Sequence, residues 1–408
     1  MEDGRVLDDL VWVFVTGPGT ATGEDVLELS CHGNPLIVQL LLADLFRRGC
    51  RAAEPGEFTR RAFLNGRMEL TQAEAVMDLI HARSERALAA AQRQLQGELG
   101  RFLAELIEAT ILILSQIEVY IDFPEEDLPV ENRRQVVEAL ENVLRGTVRL
   151  LATQAYGDLL RDGVKTVLLG APNVGKSSLL NALVGTERAL VSPEPGTTRD
   201  YIEERLHVGP HMLRLIDTAG INPTPGVLEQ RGMAKTAECL SKADLILWVM
   251  DAGLPCPTLP LEFAQHIRAD KTLLVRNKID LVSGQNLADE ELVKINGLGL
   301  GSPLGVSAVT GVGLGELRAA VIGLVDGLRP AFFAEEQIAI NARHADALRR
   351  AADALQAALS GLTAVPSLPI ELISGDVRAG LDALGEIAGR VDNERILDAL
   401  FANFCIGK

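Results

Sequence analysis

A glycine-rich loop set between a β-forming run and a helix-forming run constrains this chain more than any other feature. Val164-Lys165-Thr166-Val167-Leu168-Leu169 is a short β-rich run, Gly170-Ala171-Pro172-Asn173-Val174-Gly175-Lys176-Ser177 follows it, and Leu179-Leu180-Asn181-Ala182-Leu183 has helical character. Glycines in this setting let consecutive backbone N–H groups turn inward around phosphates, a lysine reaches the β- and γ-phosphates, and a hydroxyl serves Mg²⁺. Three further motifs follow in order: Gly196-Thr197-Thr198-Arg199-Asp200, Asp217-Thr218-Ala219-Gly220 and Asn277-Lys278-Ile279-Asp280. The Asp280 carboxylate can accept hydrogen bonds from N1–H and the 2-amino group of guanine, which adenine does not offer in that arrangement. Ser307-Ala308-Val309 fits a last loop over the base. The series predicts a guanine-nucleotide site.

Around this loop the periodicity changes twice. From Leu70 to about Ile117 the apolar residues follow a helical stripe through Leu95, Leu99, Phe102, Leu103, Leu106, Ile107, Ile111, Leu114 and Ile117. It predicts one long helix, or two broken near Gly97 and Gly100, ended by the acidic turn Asp122-Phe123-Pro124-Glu125-Glu126-Asp127 because the residue before proline resists the helical region. A second helical stretch covers roughly Val136 to Leu160. Strand-like runs at Leu213 to Ile216, Leu245 to Met250 and Leu273 to Val275 then alternate with helices, which argues a mostly parallel sheet with helices on both faces. After about Leu328 the helical period returns through Ala345, Leu348, Ala352, Leu355 and Leu359, then Leu381, Leu384 and Ile387, then Ile396, Leu397 and Leu400. Each helical block needs a partner for its apolar stripe. The economical arrangement is one all-helical domain built from both blocks, with the α/β P-loop domain inserted into it. The first ~70 residues predict strands at Leu10 to Val15 and Val26 to Leu29 and a helix at Ile37 to Phe46, too little for a comfortable core of their own, so they are expected to be completed by another chain or to be the remainder of a larger α+β domain.

With 408 residues and 47% hydrophobic content the chain can bury two or three cores. Its formal charge of -17, from 39 basic and 56 acidic residues, provides no global basic field to hold a nucleic acid, so any RNA contact must be local or supplied by a partner. Cys31, Cys50, Cys239, Cys256 and Cys405 are scattered and never form a Cys-x-x-Cys pair, as expected of reduced thiols in a cytosol. No apolar run reaches a membrane span, and the expected location is cytoplasmic.

The hydrolytic part departs from the Ras pattern, in which a glutamine after Asp-x-x-Gly orients the attacking water. Ile221 occupies that place and cannot hydrogen-bond water. Glu229, the nearest downstream carboxylate, either takes that role or is an acid favoured by the dipole at the start of a helix near Gln230. Thr198 can close on Mg²⁺ and the γ-phosphate beside Ser177, and Asp217 can hold the metal through water. Loss of the γ-phosphate would release both loops. Arg199 lies near enough in sequence to reach the phosphates, and Asn173 has an amide oxygen that could ligate a monovalent cation where an arginine finger would otherwise sit.

These motifs and their flanks resemble the tRNA-modification GTPase family called MnmE or TrmE, and the resemblance covers essentially the whole chain. Thr22-Gly23-Glu24-Asp25-Val26-Leu27-Glu28, Pro55-Gly56-Glu57-Phe58-Thr59, Ala62-Phe63-Leu64-Asn65, Gln72-Ala73-Glu74-Ala75, Ile121-Asp122-Phe123-Pro124 and the terminal Phe404-Cys405-Ile406-Gly407-Lys408 carry it outside the nucleotide motifs. The resemblance implies a partial folate-binding and dimerisation domain at 1–68, a helical domain at 69–162 and 329–408, and a G domain at 163–328. It implies a GTP-binding set of Asn173, Val174, Gly175, Lys176, Ser177, Ser178, Ser192, Thr197, Thr198, Asp217, Thr218, Ala219, Gly220, Asn277, Lys278, Asp280, Ser307, Ala308 and Val309. Mg²⁺ would be held by Ser177 and Thr198, and K⁺ by Asn173, Ser192, Glu194 and Thr197. Glu229 matches the family's water-orienting glutamate, twelve residues after Asp217, and Glu28, Arg67 and Lys408 match contacts to a tetrahydrofolate derivative. Cys405 matches a cysteine proposed to act in modification; read as a residue, it is equally a small buried hydrophobe.

The activity so implied is GTP hydrolysis driving placement of a carboxymethylaminomethyl or aminomethyl substituent on C5 of the wobble uridine of certain tRNAs. The implied partners are a second copy of the chain in a homodimer, the FAD-binding MnmG (GidA) subunit in a heterotetramer, and tRNA. Family members carry roughly one more half-domain before the point where this chain begins, including an arginine that contacts folate, so the folate site of this polypeptide is expected to be incomplete. The other function open to the motifs is an Era-like regulatory switch that binds a ribosomal or membrane partner in its GTP state. Such a switch would end in a basic RNA-binding module, whereas this chain ends in Cys-Ile-Gly-Lys on an acidic helical block.

Overall fold

The computed structural model describes residues 6–122, 130–184, 204–216, 236–282, 299–328, 338–365 and 368–389. The chain forms two compact units, one of residues 1–80, 91–151 and 342–408 and one of residues 81–90 and 152–341.

The second unit is organised by a six-stranded sheet of order β4-β5-β3-β6-β7-β8. Its strands are β3 (Val164–Leu169), β4 (Glu204–Val208), β5 (His211–Leu215), β6 (Leu245–Asp251), β7 (Thr272–Asn277) and β8 (Leu304–Gly305). All neighbours are parallel except β4 and β5, an antiparallel edge hairpin. Alternating side chains bury both faces, as expected of a sheet covered on each side. Leu168, Leu245, Leu247 and Val249 point into a core closed by α8 (Lys176–Val184) and α9 (Leu314–Gly327), through Leu179, Leu183, Leu317 and Val321. Val167, Leu169, Ile246, Trp248 and Met250 point the other way, against Leu240 of the helical residues 236–242 and Phe263 of the short helix Leu261–Ala264. The four strands expected from their apolar runs are present. β4 was not expected, because Glu204-Arg205-Leu206-His207-Val208 is an edge strand with polar residues between its buried ones, and β8 is too short to leave a pattern.

In the first unit α5 (Glu98–Asp122) and α6 (Val130–Leu151), which precede the nucleotide-type sheet in sequence, pack with α10 (Ala342–Thr363) and α11 (Ile370–Ala388), which follow it. Neighbours run α5 to α6, α6 to α10, α10 to α11 and α11 back to α5, so the four close a ring around one core. Both flanks thus supply half of one helical domain. The Leu70 to Ile117 stripe is interrupted twice: α3 (Leu70–His81), α4 (Glu85–Leu95) and α5 are separate helices. The break at Gly97 follows its positive φ of 82°. The unexpected break before α4 comes from Ser84, whose Oγ accepts a hydrogen bond from the Ala87 N–H and so starts a new helix. The buried line of α5 also differs, with Ile113 inside and Ile111 exposed, since Ile111 sits at the edge of the arc defined by Leu99, Leu103, Leu106 and Ile117. The stretch from Val136 to Leu160 is two helices as well, α6 and α7 (Gln154–Asp162), divided at Ala152 and Thr153.

The first residues form an antiparallel pair, β1 (Val11–Val15) and β2 (Val26–Ser30), followed by α1 (Pro35–Arg47) and α2 (Glu57–Leu64). α1 starts where it does because the Asn34 side chain accepts from the Leu36 N–H with Pro35 at the first helical position. β1 is exposed along its whole length, Trp12 at 66%.

A buried ionic cluster holds the helical unit at the point where the chain re-enters it. Glu74 on α3 receives the Arg343 guanidinium at 2.8 and 3.0 Å and lies 2.5 Å from His344 Nε2, both at the start of α10. Arg343 also donates to the carbonyls of Glu386 and Ile387 near the end of α11. Burial alone would push the Glu74 carboxyl up, but the His344 ring and the Arg343 guanidinium outweigh it and hold the group well below the usual carboxylate range. Glu74→Ala, which takes the carboxylate away from the buried His344 and the half-buried Arg343, is expected to lower the unfolding free energy by about 3–5 kcal/mol, read from the urea midpoint; an unchanged midpoint would contradict the cluster's structural role.

Candidate functional site

Strand order places the site. β3 has β5 on one side and β6 on the other, so consecutive connections leave it in opposite directions and a crevice opens beyond its carboxyl end. The loop after β3 occupies that crevice. Gly170 can only be glycine, since a Cβ there would lie 2.3 Å from the Val249 carbonyl oxygen on β6. Gly175 has φ of 90°, and a Cβ would meet the Asn277 Nδ2 at 2.3 Å. Between them Asn173 adopts a left-handed φ of 62°, a conformation asparagine tolerates better than most residues.

Lys176 is only 8% exposed, and its ammonium donates to the carbonyls of Gly170 and Ala171, both at 2.9 Å. Burial lowers its pKa, the mark of a cation held away from water. Ser177 and Ser178 follow in the exposed first turn of α8, where backbone N–H groups lack helical partners. A glycine-bearing loop at a helix start, a desolvated ammonium and open hydroxyls are suited to a polyphosphate with a divalent ion.

The carboxyl end of β7 clamps this loop. Asn277 is 1% exposed; its Nδ2 donates to the Val174 carbonyl at 2.9 Å and the Gly175 carbonyl at 3.4 Å, and its Oδ1 accepts from the Ala308 N–H at 3.1 Å. One amide thus joins the phosphate-side loop to the loop after β8. Lys278, at a left-handed φ of 67°, donates to the Asn173 carbonyl at 2.7 Å and to Asp251 at 2.8 Å. Asp251 also accepts from the Gly253 N–H at 2.9 Å. Burial raises the Asp251 pKa, but the bonds from Lys278 and Gly253 outweigh this and leave the carboxyl lowered. Asp280 follows, exposed, in the single turn Ile279–Leu281. Ser307 is fully buried, its hydroxyl accepting from the Thr310 N–H at 3.1 Å, whereas Val309 is exposed.

The structure therefore gathers Asn173, Val174, Gly175, Asn277, Lys278 and Ala308 through direct bonds, with Lys176, Ser177, Ser178, Asp280, Ser307 and Val309 on the same loops. Ser192, Glu194, Thr197, Thr198, Asp217, Thr218, Ala219, Gly220, Glu229, Cys405 and Lys408 lie outside the described residues. Glu28 on β2 and Arg67 are both exposed and belong to the first unit. Sequence reasoning missed Asp251. Its signal was a lone carboxylate at the end of an apolar strand, in register with Asn277 of the neighbouring strand. Among the described residues no group of three or more His, Cys, Asp or Glu forms a metal cluster, and no helix is long and apolar enough to cross a membrane.

Comparison with known proteins agrees along the chain. The family model of the MnmE helical domain matches residues 70–405, and that of the GTP-binding protein TrmE N-terminus matches residues 1–67. The tRNA modification GTPase MnmE of Opitutus terrae is 54% identical over 405 residues, covering 99% of this chain and 88% of that protein. The proteins of the same name from Symbiobacterium thermophilum and Aquifex aeolicus are 43% and 40% identical, covering 99% and 100% of this chain and 87% and 88% of theirs. Among solved structures, Era of Aquifex aeolicus is 26% identical, covering 46% of this chain and 65% of that one, with a TM-score of 0.31, too partial a superposition to weigh.

Asn277→Ala would leave the Val174 carbonyl and the Ala308 N–H without their partner, at about 1–3 kcal/mol for each orphaned group. A lower melting temperature of the nucleotide-free protein is expected; an unchanged one would mean that the clamp is not needed to hold the loops.

Proposed function

Because the chain belongs to the family of tRNA modification GTPases called MnmE, we propose that it binds GTP in the crevice beyond β3 and hydrolyses it to GDP and phosphate. Hydrolysis in turn drives modification of the wobble uridine of certain tRNAs at C5, with a carboxymethylaminomethyl or aminomethyl substituent. The observation that supports this best is the clamp: the base-side residues Asn277 and Lys278 are bonded directly to the phosphate-side residues 173–175, so one ligand can engage both.

Each group has a role its chemistry allows. The backbone N–H groups of the loop and the Lys176 ammonium receive the phosphates, with Lys176 exchanging the loop carbonyls it now holds for phosphate oxygens. Asp280, exposed, accepts from the guanine edge. The Ser177 hydroxyl, open at the start of α8, fits a Mg²⁺ ligand, with Thr198 the second. Mg²⁺ when bound neutralises charge on the β- and γ-phosphates. Asn173, exposed on its left-handed bend, fits a monovalent-cation ligand, and K⁺ is the ion assigned to it together with Ser192, Glu194 and Thr197. Glu229 orients the attacking water in place of the glutamine that Ile221 replaces.

The same proposal assigns 1–68 to a partial folate-binding and dimerisation domain, 163–328 to the G domain, and 69–162 with 329–408 to the helical domain. Glu28, Arg67 and Lys408 are assigned to a tetrahydrofolate derivative and Cys405 to the modification chemistry. A homodimer joined to the FAD-binding MnmG subunit, acting on tRNA in the cytoplasm, suits a chain whose charge of -17 leaves RNA contact to local groups or a partner. An Era-like switch is the less supported reading, since the family matches extend over residues 1–67 and 70–405 rather than over the nucleotide motifs alone.

Two experiments test the hydrolytic assignment. Asp280→Asn is expected to shift preference from GTP toward XTP, measured as the ratio of kcat/KM for the two; retained GTP preference would mean that the base is read elsewhere. Glu229→Ala should lower turnover by about 10²–10³-fold while GTP still binds, the size expected when one positioned group leaves a hydrolytic site. Unchanged turnover would remove Glu229 from the mechanism.

A further inference from the structure

The assignment of Asn173 to a monovalent cation raises an electrostatic difficulty that the structure itself answers. The Lys278 ammonium donates to the carbonyl of this same residue at 2.7 Å. A unit positive charge so close to Asn173 would repel a second cation at its side chain, because two like charges on one residue lie inside the Debye length of about 8–10 Å and are incompletely screened even where Asn173 is exposed. Lys278 is partly shielded from water, with a side-chain exposure of 31%, and Asp251, exposed by only 15%, lies against it at 2.8 Å.

Three features set Asp251 apart from an incidental surface pair. Its position is fixed by β6 pairing in register with β7, where Asp251 stands opposite Asn277. Its second oxygen is anchored by the Gly253 N–H, so the carboxylate cannot swing away. Its partner is held too, because the Ala252 N–H donates to the Asn277 carbonyl and the backbone at Lys278 is pinned in a left-handed conformation. The pair therefore has little freedom to lose, which makes it stronger than a typical exposed ion pair.

We infer that Asp251 is a positioning residue that cancels the charge of Lys278, so that Lys278 can pin the Asn173 carbonyl while the Asn173 side chain holds a monovalent cation. The inference rests on the cation role proposed for Asn173 and adds the residue that makes that role compatible with a neighbouring lysine. Lys278 keeps two of its donors on protein groups, leaving a third for a ligand.

The test follows from charge balance. The pair has a formal charge of zero in the wild type, plus one in Asp251→Asn, minus one in Lys278→Gln, and zero again in the double variant. Two quantities are measured at increasing KCl with NaCl holding ionic strength constant: the dissociation constant of a fluorescent non-hydrolysable GTP analogue, and the rate of hydrolysis. The KCl concentration at half effect is expected to rise about tenfold in Asp251→Asn, to fall below the wild type in Lys278→Gln, and to return to within about twofold of the wild type in the double variant. Asparagine has nearly the shape of aspartate but a single acceptor oxygen, so Asp251→Asn removes the charge together with one of the two bonds, to Lys278 or to Gly253. Should it fail to give a cooperative melt, Lys278→Gln alone carries the test, and a half-effect KCl concentration no lower than wild type overturns the inference. A double variant that needs more KCl than either single variant overturns it as well, because damage to structure accumulates whereas charge cancels. A wild type that binds and hydrolyses equally in KCl and NaCl overturns the cation role of Asn173 itself, and this inference with it. A wild type that responds to K⁺ while Asp251→Asn behaves identically overturns the inference alone.

Discussion

The Asn277 side-chain amide is the interaction on which the nucleotide-type unit depends. It is buried, and its two ends bond to different loops: the donor end to the carbonyls of Val174 and Gly175, the acceptor end to the Ala308 N–H. No other residue type offers a donor and an acceptor on a group of this size and shape. The glycine at 175 is required by the same contact, since any side chain there would strike Asn277 Nδ2. A motif read as recognising the base is thus also the brace for the phosphate loop. In the proposed account this links the two ends of one ligand through protein bonds that exist before it arrives, and preorganisation of that kind spares the ligand the cost of ordering the loops.

The sheet holds that brace in place. Parallel strands buried on both faces put Leu169, Asp251 and Asn277 at one edge of the sheet, where the connections diverge. The helical unit is assembled from sequence on both sides of the sheet, and it closes with Arg343 and His344, at the start of α10, locked onto Glu74. That lock combines burial, which disfavours the carboxylate, with two basic groups that restore it. Removing one partner is therefore costly, because the charge left behind keeps its burial and loses its compensation.

Much of this was legible in the sequence, and the exceptions have physical causes. The strands β3, β5, β6 and β7 were visible because strands buried on both faces are continuous apolar runs. The pairing of helical blocks followed from two apolar stripes with no other partner. The break before α4 was missed because one serine hydroxyl sets it, a capping signal that a search for apolar period overlooks. Ile111 was placed inside because a 3.6-residue period tolerates an error of one position at the edge of the arc. Asn173, Gly175, Lys176, Asn277 and Lys278 were named from motif spacing, whereas Asp251 belongs to no motif and depends on strand register, which a sequence does not display. The buried Ser307 hydroxyl, turned into its own loop, is likewise a matter of backbone geometry.

The central claim is that this guanine-nucleotide site powers tRNA modification rather than a switch. Mass spectrometry of tRNA nucleosides tests it most directly, in cells whose own modifying gene has been deleted and replaced by the gene for this chain. The account predicts wobble uridines carrying the aminomethyl-type C5 substituent in cells that receive this gene, and unsubstituted uridines in cells that receive none. Unsubstituted wobble uridines in cells that express a folded, GTP-hydrolysing protein would contradict it.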